Sequence, residues 1–156
     1  MIGCERHATK TAYLGNHAQI ASVGGGSAGA FFAIHLLRLA KKAGRDFHVS
    51  IIDEKMSLSP GGKAKECDGC NCCAGVLSPR LSQALKEKRI SIPGRVVCES
   101  FSHIWIHGHW KNFPLKVPSG REVLSVFRGG LPRARNMRIQ GFDSFLLQKA
   151  MDEGAK

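Results

Sequence analysis

Three groups of residues in this chain have types and spacings that could do chemistry. They are the small-residue run Gly24-Gly25-Gly26-Ser27-Ala28-Gly29, the adjacent carboxylates Asp53 and Glu54, and the thiols Cys67, Cys70, Cys72 and Cys73. The small residues keep a G-x-G-x-x-G spacing between a short apolar run and a long apolar one. Gly24 permits a tight turn, Gly26 a close approach of the backbone to phosphate, and Gly29 tight packing of helix on strand. A helix opening at Ser27 offers unpaired N–H groups and a partial positive charge to an anion. A carboxylate about twenty residues beyond the turn accepts hydrogen bonds from ribose hydroxyls and disfavours a 2′-phosphate. Glu54 is the first choice for that acid and Asp53 the second. Strand, turn, helix, strand and acid in this order spell a dinucleotide site, for which Gly24, Gly25, Gly26, Ser27, Ala28, Gly29, Asp53 and Glu54 are the binding candidates.

The cysteines admit several chemistries. Four thiolates can hold zinc, but Cys72 and Cys73 are adjacent and no separated second pair exists. The usual iron–sulfur spacings also differ from this one. Cys67-Asp-Gly-Cys70 is a C-x-x-C, the form of a redox dithiol. A cysteine-rich loop without chemistry is the expectation, with these four as weak metal candidates. His103, His107 and His109 with Trp105 and Trp110 are expected to form a strand that buries its aromatic face and exposes its histidines.

The elements that must position these groups follow from periodicity. Gln19 to Val23 reads as a strand, and a helix follows with Ala33, Leu36, Leu37 and Ala40 on one apolar face. His35, Arg38, Lys41, Lys42 and Arg45 form its polar side, and Gly44 is a C′ stop. Phe47 to Ile52 is the second strand. Ser78-Pro79 starts another helix, running to Lys88, that buries Leu81 and Leu85. From Arg95 to Phe127 the pattern is β, with strands at Val96–Val97, Ile104–Ile106, Leu115–Val117 and Val123–Phe127. Asp143 to Glu153 closes as a helix, capped by Gly154.

The 156 residues suffice for one domain with a real core, and 43% hydrophobic content argues against disorder. The most apolar stretch, Ala28 to Ala40, is too short to span a bilayer. Met1 to His17 lacks an apolar signal region, and six cysteines in such a chain suit a reducing compartment, so cytoplasm is expected. The net charge of +11 is densest from Lys111 to Arg138. It suits polyanions or a diphosphate cofactor, yet no nucleic-acid motif accompanies it, and no specific nucleic acid is expected.

The chain as a whole divides into a loose leader (1–18) and the amino-terminal part of a cofactor-binding domain (19–156). The second part comprises a βαβ unit (19–55), a Cys-rich loop (56–77), a helix with a β-rich insertion (78–141) and a closing helix (142–154). The fold class expected is α/β, a Rossmann-like FAD/NAD(P)-binding unit with an inserted β-rich segment. Its sheet is expected to be incomplete at the carboxyl end, because no parallel strand remains after the closing helix. An amino-terminal piece or truncated copy of a longer protein is the expectation.

Val23 to Lys55, with Gly24, Gly26, Gly29 and Ala33, resembles the amino-terminal FAD-binding motif of flavoprotein oxidoreductases. The run from Arg138 through Phe142-Asp143 to Glu153-Gly154-Ala155 resembles a second segment of the geranylgeranyl reductase and aromatic hydroxylase branch. Ala74 to Pro79 and Phe127 to Arg133 look like a bacterial subgroup of that branch. The resemblance covers most of the chain after residue 18. It implies an extended FAD whose ADP half rests on the amino-terminal unit, with NAD(P)H a possible reductant. It also implies that Arg128 or Arg138 contacts the cofactor near its pyrophosphate or ribityl chain. The family adds a strand, a second glycine-aspartate motif and a substrate domain not found in this sequence, so the remaining half, if encoded separately, would be a partner. The function expected is the FAD-binding portion of a flavin-dependent oxidoreductase acting on a small molecule, incomplete for catalysis by itself. The alternatives are an NAD(P)-dependent dehydrogenase and a basic metal- or nucleic-acid-binding module built on the cysteines.

Overall fold

A computed structural model describes residues 13–53, 75–118, 121–128 and 141–156. Within them the chain is a mixed α/β structure of three helices and three small sheets. Strand β1 (Gln19–Val23) leads into helix α1 (Ser27–Lys42), which returns to strand β2 (His48–Ile52). β1 and β2 pair in parallel, with Gln19 opposite His48 and Val23 opposite Ile52. The second strand therefore starts one residue later than its sequence pattern predicts. Period-two alternation sends Ile20, Ser22, Val49 and Ile51 toward α1, while Gln19, Ala21, Val23, Ser50 and Ile52 face outward.

α1 touches both strands and the closing helix α3 (Phe142–Asp152). Its buried residues Ala30, Ala33, Ile34 and Ala40 are mostly small, so neighbouring backbones approach closely. Leu36 and Leu37 are half-buried against the same core. Arg38 ties the layers together: its guanidinium contacts Glu153 Oε1 at 2.6 Å and donates to the carbonyl of Lys88.

The β-rich segment enters two separate sheets, and the first also takes in Val76–Leu77, which were expected to end the Cys-rich loop. Strands β3 (Val76–Leu77) and β4 (Val97–Phe101) flank β7 (Val123–Val126), all antiparallel, with a bulge at Cys98. Strands β5 (His103–His107) and β6 (Asn112–Lys116) make a hairpin. Helix α2 (Pro79–Glu87) has Ser78 as N-cap, whose Oγ accepts from the Leu81 amide at 3.3 Å. α2 buries Leu85 as expected. Leu81 is exposed, however, and Ser82 takes the inward place beside it. The fully buried side chains Ile34, Val49, Leu85, Ile90, Val96 and Leu146 come from α1, β2, α2 and its exit, the 3-10 turn at Gly94–Val96, and α3. One core thus joins the βαβ unit to the three-stranded sheet.

The hairpin stands apart from that core, and here the expectation of a buried aromatic face is overturned. Trp105 is 59% exposed, and Ile104, Ile106, Phe113 and Leu115 are exposed with it. Alternation along one strand says which residues share a face, but not whether anything packs on it.

Beyond α3 the chain meets β2. Lys156 N–H donates to the Val49 carbonyl at 2.9 Å, and its carbonyl accepts from Ile51 N–H at 2.7 Å. These two bonds have the slanted pattern of a parallel bridge across Ser50. Lys156 alone takes this place, and among the described residues the parallel sheet has only the two strands β1 and β2.

Candidate functional site

The carboxyl end of the parallel pair brings the small-residue run and Asp53 together. Gly24 has φ +100°, a conformation that L side chains rarely adopt, and it turns the chain sharply out of β1. Its N–H donates to the Ile52 carbonyl at 2.8 Å, anchoring the turn to the last residue of β2. The next amide, Gly25 N–H, donates to Asp53 Oδ2 at 2.6 Å, although 28 residues separate the two in sequence. A charge-assisted bond of this length is among the stronger ones a turn can make.

Gly26 is the N-cap of α1, and its carbonyl accepts from Ala30 N–H at 3.0 Å. The amides of Ser27, Ala28 and Gly29 precede that first helical bond, so they have no partner within the helix. No side chain caps this end and no acid lies in the first turn, whereas Lys41 and Lys42 occupy the last. The positive end of the helix macrodipole is therefore not offset from within α1 itself, although the Asp53 carboxylate lies on Gly25 N–H, one residue before the N-cap. Ala28 is exposed and Gly24, Gly26, Ser27 and Gly29 are half-buried, so the turn lies at the surface; Gly25 alone is buried.

The glycines differ in what they forbid. A Cβ on Gly29 would collide with the Gly24 carbonyl oxygen and lie 3.2 Å from Ser22 Oγ, so Gly29 is required for helix and strand to meet. A Cβ on Gly26 would meet nothing within 4 Å. Packing among the described residues does not demand a glycine at 26; space for something beyond them would.

Arg128 is held against the first turn of α3. Its Nε donates to Asp143 Oδ2 at 2.7 Å. Asp143 is buried, and its Oδ1 has no hydrogen-bond partner among the described residues. A carboxylate there meets the positive end of α3 as well as the guanidinium. The sequence shows an acid in an early helical position, but burial and partner were not legible from it. Around the hairpin the histidines have other contacts: Ser102 Oγ lies 2.8 Å from His103 Nδ1, and Asn112 Oδ1 lies 3.2 Å from His107 Nδ1. His109 sets its ring edge-on to Trp110. His35, half-buried on α1, is held below the usual histidine range, first by burial and then by the nearby charges of Lys88 and Arg38.

Glu54, Arg138 and the four cysteines Cys67, Cys70, Cys72 and Cys73 lie outside the described residues. Among the described residues, no helix is long and apolar enough to cross a membrane. No protein-family model and no curated protein matches this chain.

Proposed function

We propose that the chain binds an adenine dinucleotide, FAD before NAD, with the diphosphate on the amides that open α1. The observation that carries this reading is the Gly25 N–H···Asp53 bond, which joins the glycine turn to the acid at the end of a parallel neighbour strand. A turn built only to connect strand and helix needs no such acid. The room above Gly26, the uncapped helix end and the absence of an acid from its first turn fit a diphosphate. In this reading Gly24 shapes the turn, Gly26 admits the phosphates, and the amides of Ser27 and Ala28 donate to them. Asp53 fixes the turn through Gly25, and the role of accepting from the adenosine ribose hydroxyls falls to Asp53 or Glu54. Bound flavin would supply hydride and electron transfer, while the protein supplies binding and orientation. The preference for FAD, and for an oxidoreductase of the geranylgeranyl reductase and aromatic hydroxylase type, rests on the resemblance of the flanking segments.

Calorimetric titration of the purified chain with FAD, NAD and ADP-ribose tests this. We expect saturable 1:1 binding of FAD, competed by ADP-ribose. Gly26→Val should reduce affinity by more than about tenfold while leaving the melting temperature nearly unchanged, since its Cβ enters open space. Gly29→Ala should instead destabilise the fold by roughly 1–3 kcal/mol, because its Cβ has no room. Absence of binding by all three nucleotides overturns the proposal. Binding of NAD alone moves it to a nicotinamide dehydrogenase.

A further inference from the structure

At the opposite, amino-terminal edge of the parallel pair lies a second cluster of side chains. His17 precedes β1, Asp46 lies in the connection from α1, and His48 begins β2. Each offers one ligand atom, and these atoms lie within 4.8 Å of one another. We propose that His17, Asp46 and His48 form a surface site for a divalent transition cation of the zinc class, completed by water.

Two imidazoles and a carboxylate are a donor set that suits zinc, nickel or copper over calcium or magnesium. His17 Nδ1 and Asp46 Oδ2 are 3.4 Å apart. That is close to the edge of a tetrahedron with bonds of about 2.0–2.1 Å to the metal. The two rings lie nearly parallel, with centroids 6.2 Å apart.

The backbone beneath the cluster is already fixed. His17 N–H donates to the Asp46 carbonyl at 2.7 Å, and His48 N–H to the Ala18 carbonyl at 2.9 Å. Asp46 N–H donates to Asn16 Oδ1 at 2.7 Å. Side-chain rotation alone would therefore close the three ligands on an ion. His17 adopts φ +62°, a left-handed turn conformation leading into β1, and its Nδ1 is the ring atom near Asp46 Oδ2. Metal at Nδ1 moves the ring proton to Nε2, so the long 3.4 Å contact with Asn16 Nδ2 would open to water. A bound ion would clamp the entrances of β1 and β2, at the end of the pair remote from the glycine turn. This site is independent of any nucleotide.

The test is a zinc chloride titration of the full chain, followed by the side-chain NMR signals of its histidines and by thermal melting. The signals of His17 and His48 should shift together and saturate, while those of His35, His103, His107 and His109 stay in place. Zinc should raise the melting temperature of the parent chain. That rise should shrink, and apparent affinity at this site fall by at least about tenfold, in His48→Ala and in His17→Asn. Asparagine tolerates the left-handed backbone at 17, so the second variant separates loss of a ligand from loss of the turn. Motionless His17 and His48 signals in excess zinc, or an undiminished thermal rise in both variants, would overturn the proposal. Zinc held by the cysteines alone gives both of those results. Titration with ADP-ribose reads the dinucleotide proposal separately.

Discussion

At the scale of single residues, two exchanges of charge and proton matter most. Asp143 is deeply buried, and Arg128 at 2.7 Å is the cation beside it. A charge in such a place survives only with a partner and added dipoles, which the first turn of α3 provides. His35 is the opposite case, a titratable group that burial, Lys88 and Arg38 all push toward neutrality. Its folded pKa lies below the ordinary 6.5, so between the two values the unfolded chain binds a proton that the folded chain refuses. Stability is undiminished above 6.5 and falls as pH drops through that window, with no further loss from this group below it. Chemical denaturation at several pH values should show a decline from pH 7.5 to 5.5. His35→Gln should flatten part of that slope. An unchanged slope in the variant would assign the decline to other groups.

At the scale of elements, the three helices share one ending. In α1, Arg45 N–H reaches the Ala40 carbonyl and Gly44 N–H the Lys41 carbonyl. In α3, Ala155 reaches Ala150 and Gly154 reaches Met151; in α2, Ile90 reaches Leu85 and Arg89 reaches Lys86. Each is a Schellman motif with a left-handed residue at C′. Glycine fills that place in α1 and α3, but α2 uses Arg89 at φ +56°. The packed pair Leu85 and Ile90, both fully buried, holds this turn against the backbone's preference. Arg89→Gly should raise stability by about 0.5–1 kcal/mol, because the left-handed penalty disappears. Urea denaturation measures this directly, and a loss of stability would mean that the arginine side chain does work elsewhere.

At the scale of the whole molecule, burial is uneven. Ile34, Val49, Leu85, Val96 and Leu146 lock the βαβ unit, α2, α3 and the three-stranded sheet into one core. The β5–β6 hairpin contributes none of the fully buried side chains and exposes apolar residues on both faces. Local opening should cost least where few apolar contacts must break. Amide hydrogen exchange should therefore be fast in Ile104–Ile106 and Phe113–Leu115, and slowest in Ala33–Leu37 and Leu146–Ala150. Equal protection of hairpin and core would show that something else covers the hairpin.

Much of the βαβ unit, and several helix boundaries beyond it, was legible in the residues alone. The glycine turn, the apolar face of α1, Ser78 as a cap and Gly44 and Gly154 as helix ends all depend on neighbours within a turn or two. Local sterics and hydrogen bonding decide such features, so residue type and spacing carry them. Asp53 was legible for the same reason, as a residue directly after a strand. Other features depended on the path of the chain through space. That β7 sits between β3 and β4, that Gly25 finds Asp53, that Arg38 meets Glu153 and Arg128 meets Asp143, and that Trp105 faces solvent are all outcomes of pairing between distant segments. So is the meeting of His17, Asp46 and His48 at one edge of the parallel pair. Periodicity tells a strand which residues lie on one side of it. Only the folded chain supplies what lies against that side.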